Sequence, residues 1–74
     1  MQVETIITHR VGGKITEQDR HSQEWPIMAF YHFLIEMKED GYKIDHSENR
    51  FGVSVLATRR NGDCERTVEL IHYK

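Results

Sequence analysis

Cysteine and proline are nearly absent from this chain of 74 residues: Cys64 and Pro26 are the only ones. A lone thiol excludes any disulfide within the chain and suits a reducing compartment, so the expected location is cytoplasmic; a bridge between two chains through Cys64 is the alternative. Long apolar runs are also lacking. The longest near-apolar segment, Trp25 to Ile35, is interrupted by His32 and falls well short of the ~20 residues of a membrane span. The opening "MQVETIITHR" has no basic start followed by an apolar run, so no signal peptide is expected. Neither sign of charge dominates. A net charge of −2 with 30% charged residues fits a folded soluble protein and argues against non-specific attachment to a phosphate backbone.

The spacings that carry catalysis and metal binding are missing too. No C-x-x-C, H-E-x-x-H or H-x-x-x-H occurs. Gly12-Gly13 is followed by neither a helix start nor a Lys-Ser/Thr pair, so it is not a phosphate loop. A nucleophilic role for Cys64 would need a base and an oxyanion site, and no such set is visible, although Arg59 opposite it would lower its pKa. No enzyme, cofactor or metal is therefore expected.

What the chain does contain is one small domain without repeats or low-complexity segments. At this length only about 60% of the unfolded chain's surface is buried on folding. One such core rarely supplies more than ~3–5 kcal/mol. Val3, Thr5, Ile7, His9 and Val11 alternate with Glu4, Ile6, Thr8 and Arg10, which predicts a strand. The glycines then signal a hairpin. A three-residue loop, Gly12 to Lys14, would set Ile15 opposite Val11 on the core side, with a short second strand at about Lys14 to Glu17. Residues 17 to 24, "EQDRHSQE", read as a polar connector. A helix is predicted from about Gln23, capped by Ser22, with Pro26 in its first turn and Gly41 ending it. Tyr42, Ile44 and His46 alternate as a third strand, joined through "SENR" to the last hairpin. There "NG" at 61–62 read as the loop pairs Arg60 with Asp63, Thr58 with Glu65, Val55 with Val68 and Val53 with Leu70. Phe51, Val53, Val55 and Ala57 then share an apolar face with Val68 and Leu70. The expected fold is α+β, in the order β-β-α-β-β-β, an antiparallel sheet with one helix across one face.

The helix is the candidate for function. With Ile27 as origin, its apolar arc spans roughly 220°, about twice the stripe of just over ~100° needed to lie on a sheet. Residues 17 to 24 or a curled sheet would have to cover the surplus. Otherwise Met28, Ile35 and Tyr31 face a second protein, either a target or a second copy in a homodimer. Beside them runs a polar strip of His32, Glu36, Glu39 and Asp40. Its acids sit at the helix C-terminus, where the macrodipole favours cations. An acidic edge beside an apolar patch suits a partner with a basic surface. The expected function is thus a non-enzymatic protein-binding module. Its specific form would be an inhibitor or modulator of a host nucleic-acid-handling enzyme, of the kind phages and mobile elements carry.

Three arginines, Arg59, Arg60 and Arg66, gather at the last hairpin and offer a different role, a nucleic-acid-binding regulator. Asp63, Glu65 and Glu69 share that ladder and oppose this reading, as does the absence of an exposed RNP-type aromatic pair. His9, His46 and His72 have core-facing parity. His46 and His72 are expected to flank the strand carrying Phe51 at about 9–10 Å, wide for a shared metal. His32 and Glu36 are helical neighbours placed to form a surface pair.

Overall fold

The computed structural model describes residues 1–73. Its elements are β1 (Gln2–Val11), β2 (Lys14–Glu24), α1 (Ile27–Glu39), β3 (Lys43–Asn49), β4 (Gly52–Asn61) and β5 (Cys64–Tyr73). The five strands form one antiparallel sheet in the order β2-β1-β5-β4-β3. The fold is the expected α+β arrangement. None of its helices among the described residues is long and apolar enough to cross a membrane.

Alternation decides which face is buried. Val3, Val55, Ala57, Val68 and Leu70 point to the helix side, where Phe30 and Met37 of α1 and Tyr42 meet them. Leu70, Val3, Val55 and Val68 are the most completely enclosed. Helix α1 ends as Gly41 foretells. Gly41, at φ 88°, follows the C-cap Asp40. The Gly41 N–H donates to the Lys38 carbonyl at 3.1 Å and the Tyr42 N–H to the Met37 carbonyl at 3.0 Å. This paired closure satisfies two of the last carbonyls, and Tyr42 and Met37 both reach the core beside it.

Several local expectations are corrected. The first loop has two residues, not three: Val11 faces Lys14 and Arg10 faces Ile15, so Ile15 turns to the outer side at 56% exposure. Two consecutive glycines at φ 58° and 82° form a loop whose twist matches the strands, and that geometry outweighs burying one isoleucine. A bulge follows, with Thr16 outside the pairing between Arg10↔Ile15 and His9↔Glu17; its hydroxyl donates to the His9 carbonyl at 3.3 Å.

The supposed connector, residues 17 to 24, is instead the greater part of β2, an edge strand exposed along all 11 residues. Alternation could not reveal it because it has no apolar face. Polar links hold it to β1. Gln18 Nε2 donates to Thr8 Oγ1 at 3.0 Å, Gln2 Nε2 donates to Ser22 Oγ at 2.7 Å, and Arg20 lies 3.7 Å from Glu4. Its charged character also protects an open sheet edge from pairing with other chains. Ser22 is therefore not a helix cap. Helix α1 starts four residues later than expected, at Ile27, with the extended Pro26 as N-cap and no side-chain cap. Proline keeps the preceding Trp25 out of helical geometry.

The last hairpin is shifted by two residues. Asn61 faces Cys64, Arg60 faces Glu65, Thr58 faces Thr67, Val55 faces Leu70 and Val53 faces His72. The loop is Gly62-Asp63. Gly62 has φ 62°, and no non-glycine residue among the described residues has positive φ, which an Asn61-Gly62 loop of the twisted two-residue kind would require at Asn61. An even shift leaves every side chain on its expected face, so the core survives the error. Cys64 consequently faces Asn61 and Val11, not Arg59. Strand β3 runs on to Asn49, through most of the expected "SENR" turn. Phe51 sits in the β3–β4 loop at 66% exposure rather than in the core. There its N–H donates to Asn49 Oδ1 at 2.8 Å, and the Arg50 guanidinium lies 4.9 Å from its ring centre.

Candidate functional site

Helix α1 meets the sheet through Phe30 and Met37, with Phe33 and Leu34 partly covered at the flanks. The core-facing direction is therefore centred on Phe30 and Met37, and Ile27 does not lie at its middle. One full side of the helix is left in solvent. Ile27 is 60% exposed, Met28 66%, Tyr31 55% and Ile35 57%. At 100° per residue these four occupy a continuous arc of about 100°. Residues 17 to 24 do not cover it, because they form the sheet edge. Met28, Tyr31 and Ile35 are thus accessible, and the connector, one of the two coverings the sequence left open, does not cover them. Ile27 is the residue that sequence reasoning missed, because the apolar arc by itself does not show which part of it faces the sheet.

The exposed arc continues into a groove between α1 and the β3–β4–β5 side of the sheet. Its volume is about 350 Å³, and its walls include Ile27, Tyr31, Leu34, Val53, His46 and His72. Tyr31 stands at its lip, edge-on to Phe30 with ring centres 5.8 Å apart. Such contacts hold an aromatic side chain in place before any partner arrives. His46 faces Val55 and His72 faces Val53, so the two histidines do flank β4. His72 Nδ1 lies 2.8 Å from the Gln2 carbonyl. No group of three or more metal-binding side chains occurs among the described residues.

The polar strip of His32, Glu36, Glu39 and Asp40 is exposed on the other flank. No hydrogen bond or ion pair joins His32 to Glu36 among the described residues. Both line a shallow hollow with Trp25 and Phe33, whose rings meet edge-on at 5.3 Å.

The hairpin arginines do not form one patch, because alternation divides them between the two sheet faces. Arg60 lies on the outer face opposite Glu65, with Arg10 on the other side of the same carboxylate. Arg60 donates to Glu65 at 2.7 Å and Arg10 at 3.5 Å. The hydrogen bond from Arg60 holds the Glu65 carboxyl below its ordinary value near 4.5; the charges of Arg60 and Arg10 act in the same direction, and partial burial opposes them. A depressed carboxyl pKa stabilises the fold fully above the unfolded value, and that contribution fades as pH falls through the folded one. Glu65→Gln is therefore expected to lower the urea midpoint at pH 7. The gap to the unsubstituted chain should close as pH drops below about 4.5. Equal midpoint differences at pH 7 and pH 3 would show that the triad contributes nothing.

Arg59 and Arg66 face the helix side instead. They lie directly opposite each other, with His9 next to Arg66 on β1.

Compared with known family models, curated proteins and solved structures, the chain has no match.

Proposed function

We propose that this protein is a non-enzymatic binding module that acts by seating the Ile27–Met28–Tyr31–Ile35 side of its helix on another protein. The supporting observation is that four large apolar side chains, each more than half exposed, share one arc of the helix that no other element covers among the described residues. Scattered apolar residues on a surface are ordinary, whereas a contiguous helical face merging into a groove is the pattern of helix-mediated recognition. Glu36, Glu39 and Asp40 lie on the flank beside this face, toward the C-terminal end of the helix, and are exposed. They suit a partner whose apolar seat is rimmed by Lys and Arg. Enzymes that handle nucleic acid present surfaces of that kind, and occupying one is how such a module would inhibit or modulate its target.

A paired substitution tests this reading. Met28→Gln with Ile35→Gln leaves the buried residues untouched and should preserve the circular dichroism spectrum and melting temperature. Loss of two central apolar contacts should weaken partner binding by at least about 100-fold. Leu56→Gln, an apolar-to-polar change on the outer sheet face, should leave binding intact. Light scattering over a dilution series of both variants separates a second copy from a different partner. The proposal fails if the double variant retains every association seen with the unsubstituted chain.

A further inference from the structure

A second site lies on the same side of the sheet as the helix, beyond its C-terminal end. A hollow of about 370 Å³ opens there between β1, β4 and β5, and Arg59, Arg66, His9, Tyr42 and Glu17 are among its walls. Arg59 and Arg66 form a directly opposed pair across β4 and β5. Like charges in that position destabilise a sheet unless something compensates them. Neither arginine has a carboxylate partner among the described residues, in contrast to Arg10 and Arg60, which share Glu65 on the outer face. The sheet thus compensates one arginine pair and leaves the other open to an outside anion.

The geometry around Tyr42 shows what such an anion would meet. Arg66 Nη1 lies 3.1 Å from the Tyr42 hydroxyl. A guanidinium only donates, so the phenol oxygen is the acceptor and its own O–H remains free to donate. The Arg59 guanidinium carbon is 5.8 Å from the centre of the Tyr42 ring. Tyr42 is itself 7% exposed and fixed by the closure of α1. Arg59 on β4, Arg66 on β5 and Tyr42 in the turn between α1 and β3 therefore line one hollow. Two carboxylates also line the hollow: Glu17 faces His9 rather than either arginine, and Glu65 is bonded to Arg60 and Arg10.

We propose that Arg59, Arg66 and Tyr42 form a binding site for a phosphate group. A carboxylate offers two oxygens on one plane and matches a single fork. The three terminal oxygens of a phosphate monoester or inorganic phosphate match donors arriving from three sides. This site is independent of the exposed helix arc, and either can be disproved without the other.

The test is a titration of the full chain with inorganic phosphate, followed by NMR of the arginine side-chain N–H groups and the tyrosine rings, at ionic strength fixed with chloride. Saturable shifts at Arg59, Arg66 and Tyr42, with a dissociation constant of about a millimolar or below, are expected. Arg59→Gln and Arg66→Gln should each weaken binding by at least about 10-fold. Lys43→Gln removes the same charge from the outer face and should change nothing. Parallel titrations with 5′-AMP and with acetate distinguish a phosphate ester from a carboxylate; tighter binding of acetate would overturn the assignment. So would shifts that never saturate, or an equal loss with Lys43→Gln, either of which indicates diffuse attraction. A short oligonucleotide that binds far more tightly and also shifts Arg10 and Arg60 would replace this site with an extended nucleic-acid surface.

Discussion

Leu70→Ala is expected to cost about 3 kcal/mol, out of the roughly 4–11 kcal/mol that a chain of this length commands. Leu70 is 1% exposed, faces Val55 on β4 and Thr5 on β1, and belongs to the cluster that Phe30 and Met37 close from above. Removing it takes away the transfer energy of the lost carbons. It also leaves a cavity whose walls are strands tied on both sides and cannot collapse into it. Leu56 provides the contrast. It stands on the neighbouring strand, on the outer face, at 36% exposure, and its replacement by alanine should cost less than about 1 kcal/mol. Urea unfolding followed by circular dichroism measures both. If the two variants unfolded at the same midpoint, the core would not be where the structure places it.

Gly52→Ala is the second large effect. Gly52 opens β4 at φ 156°, and a Cβ there would overlap the carbonyl oxygen of His72 and press on the Cα of Tyr73. Both obstacles are backbone of β5, the neighbouring strand in the sheet, so neither can rotate away. Strained backbone and steric overlap together predict a loss of about 3 kcal/mol, or roughly 12–24 °C in melting temperature. Gly41 isolates the conformational part. Its φ of 88° is equally unsuited to a side chain, but nothing lies within 4 Å of the position a Cβ would take. Gly41→Ala should therefore cost only about 1–2 kcal/mol. Equal melting temperatures for the two variants would mean that β4 and β5 do not approach as closely as described.

These residues also show what was legible in the sequence. Val55, Ala57, Val68 and Leu70 could be assigned to one buried face because alternation survives an even register error. Gly41 could be read as a helix end because only glycine takes that conformation without penalty. The two-residue register of the last hairpin was not legible, since "NGD" offers two possible loops and only the backbone angles choose between them. Strand β2 was invisible for a different reason. Its ladder is made of backbone groups and polar side chains, which leave no apolar period. At the candidate site, the exposure of Met28, Tyr31 and Ile35 was one of two outcomes left open by an apolar arc too wide for one sheet, the other being cover by residues 17 to 24 or by a curled sheet. The exposure of Ile27 was not legible, because the wheel alone cannot say which part of such an arc faces inward. The opposed arginines escaped notice because the shifted register is what brings Arg59 and Arg66 together.

The order of strands has a consequence for how the chain acquires its structure. Strands β1 and β2 are joined by two residues, as are β3 to β4 and β4 to β5, so both sets of pairings form between near neighbours. Strand β1 then meets β5 along a seam from Glu4↔Ile71 to Val11↔Cys64, finished at the two hairpin tips where the Gly12 N–H donates to the Asp63 carbonyl at 3.0 Å. Closing that seam confines more than fifty intervening residues at once, an entropic cost met before its contacts form. The slow event in folding is therefore expected to be the zipping of two prefabricated pieces along one line, before which the β1 edge of one piece and the β5 edge of the other would both be open to the wrong neighbour.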